Sequence, residues 1–117
     1  MIIEVADIRI KEGVQADFEK AVKVALDKVF PKAVGFKGHM FHKCAESNDR
    51  YLLQLVWETL EDHTVGFRGS PLFIEWRSLV GTYFASTPFV EHFSLLSSLV
   101  PPDLFDFKPR TLAMPAC

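Results

Sequence analysis

Residues 52–92, LLQLVWETLEDHTVGFRGSPLFIEWRSLVGTYFASTPFVEH, decide how the rest of the chain is read. An apolar strand ends at Trp57-Glu58, and a polar helix start then carries His63 and Arg68. Ser70-Pro71 breaks the chain before an aromatic helix bearing Trp76 and Arg77, and a last strand holds Glu91-His92. Imidazoles, guanidiniums and indoles are thus set among hydrocarbon. That mixture lines an apolar pocket with a few polar handles, the usual form of a small-molecule site.

Working outward, residues 2–10 alternate and are rich in Ile and Val, which predicts a strand ending at Lys11-Glu12-Gly13. From Val14 to Phe30 the period changes to that of a helix. Phe18, Val22, Ala25, Leu26 and Val29 fall on one face, and Pro31 stops the run. Gly35 and Gly38 bracket the start of a second strand, roughly residues 36–45. The cluster Glu46-Ser47-Asn48-Asp49 is a turn by composition, so Tyr51 to Trp57 completes a hairpin. Thr59 opens the next helix, with Asp62 three positions on as its capping-box partner. Gly66, Gly69 and Pro71 interrupt that helix, and Ser70 is placed to cap a second segment closed by Gly81. Leu72, Phe73, Trp76, Leu79 and Val80 form its apolar face, and residues 87–95 make a fourth strand. The order β-α-β-β-α-β predicts an α+β, ferredoxin-like fold with a four-stranded antiparallel sheet.

At 117 residues the chain is one domain, and it has eleven Phe. So many large rings imply a bulky core or an aromatic-lined cavity. A net charge of -2 without a basic cluster argues against a nucleic-acid partner. Glu4, Asp7 and Arg9 interrupt the first ten residues, and no apolar run approaches membrane-spanning length. The expectation is a cytoplasmic protein with no membrane partner. Cys44 and Cys117 form neither a metal spacing nor a disulfide framework. Four of the seven prolines lie from Pro101 onward, so residues 98–117 read as an extended arm that packs against something.

In this topology both helices cover one face of the sheet. A monomer would make the other face polar, but Leu52 and Val56 flank Gln54 there, and Met40 lies opposite Phe41 on the second strand. Both faces want cover, which a second copy would supply by packing sheet to sheet as a two-fold homodimer.

With these elements in place the chain resembles the antibiotic biosynthesis monooxygenase family of dimeric α/β-barrel domains. The likeness spans residues 1–95 and rests on the order of loose motifs. These are Lys11-Glu12-Gly13 with Phe18, Val56-Trp57-Glu58, His63, Ser70-Pro71 and Val90-Glu91-His92-Phe93. The resemblance implies a domain over residues 1–97, a homodimer, and an apolar cavity between helices and sheet. Its better-known members oxidise polycyclic phenols with molecular oxygen, using neither metal nor flavin. Others degrade haem, isomerise small metabolites or have no assigned activity. The Asn, Trp and His of the haem-degrading branch have no counterparts here, where Ala6 and Asp7, Phe67 and Arg77 stand near those places.

Cofactor-free oxygenation needs a base to remove a proton and leave an electron-rich anion that can reduce oxygen. It also needs apolar walls and a cation or donor to hold the anion. His63 and His92 are the candidate bases, since imidazole titrates near neutrality. Arg68 or Arg77 is the candidate anion holder, and Arg68 has no local carboxylate partner. Phe67, Phe73, Trp76, Tyr83 and Phe84 are the candidate walls for a small apolar or aromatic ligand. The resemblance implies no cofactor, and a metal site is not expected because His39 and His42, three apart on a strand, point to opposite faces. The plainer readings leave His63 in solvent, His92 as a structural hydrogen-bonded histidine, Trp76 in the core and Arg77 in water or an ion pair. Asp7 and Arg9 share one face of the first strand and could meet a partner or the pocket. Two other functions use the same cavity: metabolite binding without chemistry, and acid–base isomerisation or lysis.

Overall fold

Alternation along each strand assigns its side chains to two faces, and burial follows that assignment. The computed structural model describes residues 1–100. They run β1 (Ile2–Arg9), α1 (Gln15–Lys28), β2 (Phe36–Lys43), β3 (Arg50–Trp57), α2 (Pro71–Val80) and β4 (Phe89–Ser94). All strand pairs are antiparallel, in the order β2-β3-β1-β4. Ala6 and Ile8 from β1, with Tyr51, Leu53, Leu55 and Trp57 from β3, are buried against the helices. This is the ferredoxin-like α+β arrangement that the element order predicts. The arm expected over residues 98–117 falls almost wholly outside the described residues.

The helix α1 buries Phe18, Val22, Ala25 and Leu26, the stripe expected from 3.6-residue spacing. Each large apolar side chain buried this way contributes about 1.5–3 kcal/mol. The helix ends before Pro31, which sits early in a 3-10 turn, Phe30–Lys32, where its missing N–H costs little. Among the described residues no helix is long and apolar enough to cross a membrane.

The segment between β3 and α2 departs from the expected α-helix. Thr59 and Asp62 do form the capping box: Thr59 N–H donates to Asp62 Oδ2 (3.2 Å) and Asp62 N–H to Thr59 Oγ1 (3.1 Å). The chain then widens into a π-helical turn, Asp62–Phe67, in which Arg68 N–H reaches the His63 carbonyl. Ser70 stands at the N-cap of α2 without a side-chain cap bond, and its hydroxyl donates back to the Phe67 carbonyl at 2.8 Å. Gly81 follows α2 with a right-handed backbone and begins a further 3-10 turn, Gly81–Tyr83.

The other sheet face carries Ile3, Val5, Leu52, Val56 and Met40, with Phe89 64% and Phe93 50% exposed on the edge strand β4. Asp7 and Arg9 lie on this face, away from the cavity. Asp7 takes two hydrogen bonds from Arg50, at 3.0 and 2.7 Å.

Candidate functional site

The helix-covered face of the sheet does not close completely. A cavity of about 250 Å³ remains between β1, β3, the π turn and α2. Its walls include Ala6, Ile8, Leu53, Leu55, Phe30, Phe67, Phe73, Trp76, Phe84 and Val90, and its polar lining includes Glu4, His63, Arg68 and Arg77. Hydrocarbon around a few convergent polar groups is the composition of a small-molecule site.

Glu4 is the one buried carboxylate among the described residues, only 6% exposed. It occupies an inward position of β1, in step with Ala6 and Ile8, so the pleat points its carboxyl into the cavity. The indole N–H of Trp57 donates to its Oε1 at 2.9 Å. Nε2 of His63 stands 3.2 Å from the same oxygen. Burial pushes the Glu4 carboxyl up to about 7, and this outweighs the opposite effects of the Trp57 hydrogen bond and the Arg68 charge.

His63 comes from the π turn. Such a turn closes over five residues rather than four, so Phe67 and Arg68 both fall near the face His63 occupies. His63 is 3% exposed and stacks on Trp57 at 5.4 Å. Burial lowers it to about 4, helped by the charges of Arg68 and His92. The imidazole is therefore neutral at neutral pH. Its Nδ1 lies 2.8 Å from Nε2 of His92, one ring donating and the other accepting. His92 is brought there by strand register, because it pairs directly with Glu4 across β1 and β4. Burial, then Arg68, also lowers its pKa.

Of the residues singled out from sequence, His63, Arg68, Phe67, Phe73, Trp76 and Phe84 line the cavity. His92 stands behind His63 rather than in the lining. Tyr83 is elsewhere: its carbonyl accepts from Lys11 N–H, and its ring packs against Phe18 at 6.3 Å. Arg77 does not simply reach water. It lines the cavity with its guanidinium 5.8 Å from the Phe73 ring centre, and no carboxylate among the described residues pairs with it. Glu4 escaped sequence reasoning altogether, although its step with Ala6 and Ile8 on an apolar strand was a usable signal. Among the described residues no group of three or more His, Cys, Asp and Glu is placed to hold a metal ion.

Comparison with known proteins gives this geometry a context. Residues 1–79 match the profile of the family described as antibiotic biosynthesis monooxygenase. Over 96 residues the chain is 45% identical to the protein YczJ of Bacillus subtilis, covering 80% of this chain and 97% of that one. A crystal structure from Bordetella bronchiseptica, named for the same family, is 42% identical with a TM-score of 0.79, covering 82% of this chain and 97% of the other. SnoaB, a cofactor-independent oxygenase from Streptomyces nogalater, shares the fold at 17% identity and a TM-score of 0.70, over 84% of this chain and 95% of its own. Sequence match and common architecture agree, and the chain belongs to the antibiotic biosynthesis monooxygenase family.

Proposed function

We propose that this protein is a cofactor-independent monooxygenase acting on a small aromatic or quinone-like metabolite, with Glu4 as its base. The observation that carries the reading is a buried carboxyl set in the wall of an otherwise apolar cavity, poised near neutrality. A base whose pKa matches the working pH is both free to accept a proton and strong enough to take one. His63, lowered to about 4, is too weakly basic to compete at neutral pH, so we assign the base role to the carboxyl beside it.

The chemistry follows from the parts. Glu4 removes a proton from an acidic O–H or C–H of the substrate, and the electron pair stays on the ring system. Arg68, whose charge reaches Glu4, His63 and His92, stabilises that anion in a medium of low dielectric. The anion passes one electron to molecular oxygen, giving a substrate radical and superoxide. Their combination forms the C–O bond, and protonation by Glu4 gives a hydroperoxide. Loss of water then leaves a carbonyl, so a methylene and O2 become a ketone and H2O. The hydrocarbon walls keep bulk water from the radical pair.

Cavity size narrows the substrate. A cavity of about 150 Å³ accommodates benzene, so about 250 Å³ suits one substituted ring or two fused rings. The apolar outer sheet face supports a homodimer formed by packing two sheets together, since soluble monomers seldom leave such a face open. The test is oxygen uptake with one- and two-ring phenols and hydroquinones in the presence of a chelator. Uptake matched by oxygenated product is the expected result. Tight aromatic binding without any uptake would make the protein a binding module instead.

A further inference from the structure

The cavity has a cationic rim over a floor that holds a single carboxyl. Arg68 and Arg77 are both exposed residues that line it, whereas Glu4 and His63 are buried. Neither guanidinium has a carboxylate within ion-pair distance among the described residues. They arrive from different places: Arg68 from the end of the π turn and Arg77 from α2, where it is held over the Phe73 ring. Among the described residues no other charged side chain lines the cavity.

A count of charge during turnover shows what is missing. Glu4 and the acidic group of the substrate share one proton between them. Whichever holds it, that pair carries one negative charge, and His63 stays neutral. Two guanidiniums line the same cavity, so among the described residues one positive charge has no carboxylate counterpart. Arginine at such a rim is suited to a planar anion, because its fork of N–H donors matches a carboxylate.

We infer that the natural ligand is an aromatic acid: one or two rings bearing an ionised carboxylate in addition to the group that meets Glu4. The carboxylate lies at the rim between Arg68 and Arg77, and the ring enters between Phe67, Phe73 and Trp76. This assignment rests on the proposed reading of the cavity as a site for a small aromatic proton donor. It adds the anion as the feature that orients the ring, with its acidic group inward.

Calorimetric titration of the intact protein with matched pairs of probes tests it: salicylate against salicylamide, and 3-hydroxy-2-naphthoate against its amide. Each pair differs in the anion and scarcely in shape. The acids should bind about tenfold or more tightly than the amides. That advantage should shrink with added salt and fall to about twofold or less in Arg77→Gln and in Arg68→Gln. Acids binding no better than amides would overturn the inference while leaving an aromatic pocket in place. Failure of all four probes to bind would remove both the inference and the reading beneath it. The acid-to-amide ratio in the unmodified protein decides the matter even if a variant misfolds.

Discussion

Nε2 of His63 stands 3.2 Å from Oε1 of Glu4, yet at neutral pH the two are not an ion pair. Burial acts on both in opposite senses. It lifts the carboxyl to about 7 and lowers the imidazole to about 4, because water solvates charge better than this cavity does. The consequence is a neutral histidine beside a carboxyl able to gain or lose a proton at working pH.

Stability should therefore depend on pH through two opposed contributions. Folded Glu4 holds its proton more tightly than the ordinary 4.5 allows, so its favourable contribution is full below that pH and disappears as pH rises to about 7. His63 is lowered from 6.5, so stability from that residue grows as pH rises from about 4 to 6.5, and His92 acts in the same sense. The two largely cancel in the intact protein. In Glu4→Gln only the rising trend should remain. In His63→Gln the fall due to Glu4 should dominate, on the order of 3 kcal/mol at ~1.4 kcal/mol per pH unit. Urea unfolding midpoints between pH 4 and 8 check both signs, and parallel profiles in the two variants would refute the opposition.

Glu4→Gln should also separate folding from chemistry. The amide keeps an acceptor for the Trp57 N–H and carries no buried charge, so stability at pH 7 should hold or rise by about 1 kcal/mol. As the base is gone, oxygen uptake should fall by at least about 10²-fold. Thermal unfolding beside a rate assay measures both. A variant that unfolds but, when folded, keeps its rate would make Glu4 structural.

Trp57→Phe removes the indole N–H together with part of a fully buried ring that stacks on His63. The indole hydrogen bond lowers the Glu4 pKa, so its loss should raise the carboxyl further and shift any pH–rate profile upward. The lost hydrogen bond and the cavity left by the smaller ring should together cost the fold about 2–4 kcal/mol. An unmoved profile would mean that this bond does not act on the base.

How much of this was legible in the sequence depends on the distance over which each signal acts. Strand parity and helical spacing are local, so the strands, the stripe Phe18–Val22–Leu26 and the Thr59–Asp62 capping box could all be read directly. The π turn could not, because ordinary helix signals do not distinguish closure over five residues from closure over four. His63 and His92 are 29 positions apart and meet only because β4 pairs with β1 so that His92 adjoins Glu4. Tyr83 was misplaced by a neighbouring effect: backbone bonds from Lys11 and to Arg9 tie residues 83–85 to the end of β1 and turn its ring toward Phe18. Glu4 was overlooked because a charged residue on a first strand is ordinarily a surface residue. Its step with Ala6 and Ile8 pointed inward all the same.

Gly35→Ala probes the scaffold that holds His63. Gly35 has φ of +81°, and a Cβ there would collide with the Asp62 side chain, the capping partner of Thr59. Backbone strain and the displaced cap should together cost about 2–3 kcal/mol. Histidine NMR signals should show the His63–His92 contact loosened. A variant as stable as the parent would mean the loop relaxes freely.

Val56→Lys places a charge in the middle of the apolar outer face without touching the cavity. If that face joins two copies, the variant should run at the mass of one chain in sedimentation and remain folded by circular dichroism. An unchanged mass would place any assembly elsewhere on the molecule.

The most direct test of the central claim is the ionisation of Glu4 itself, followed by the ¹³C chemical shift of its carboxyl carbon between pH 3 and 9. Glu4→Gln identifies the resonance by its disappearance. A midpoint near 7 is the predicted result. A midpoint in the usual carboxylate range, near 4.5, would leave the cavity without a base poised for neutral pH and would contradict the mechanism.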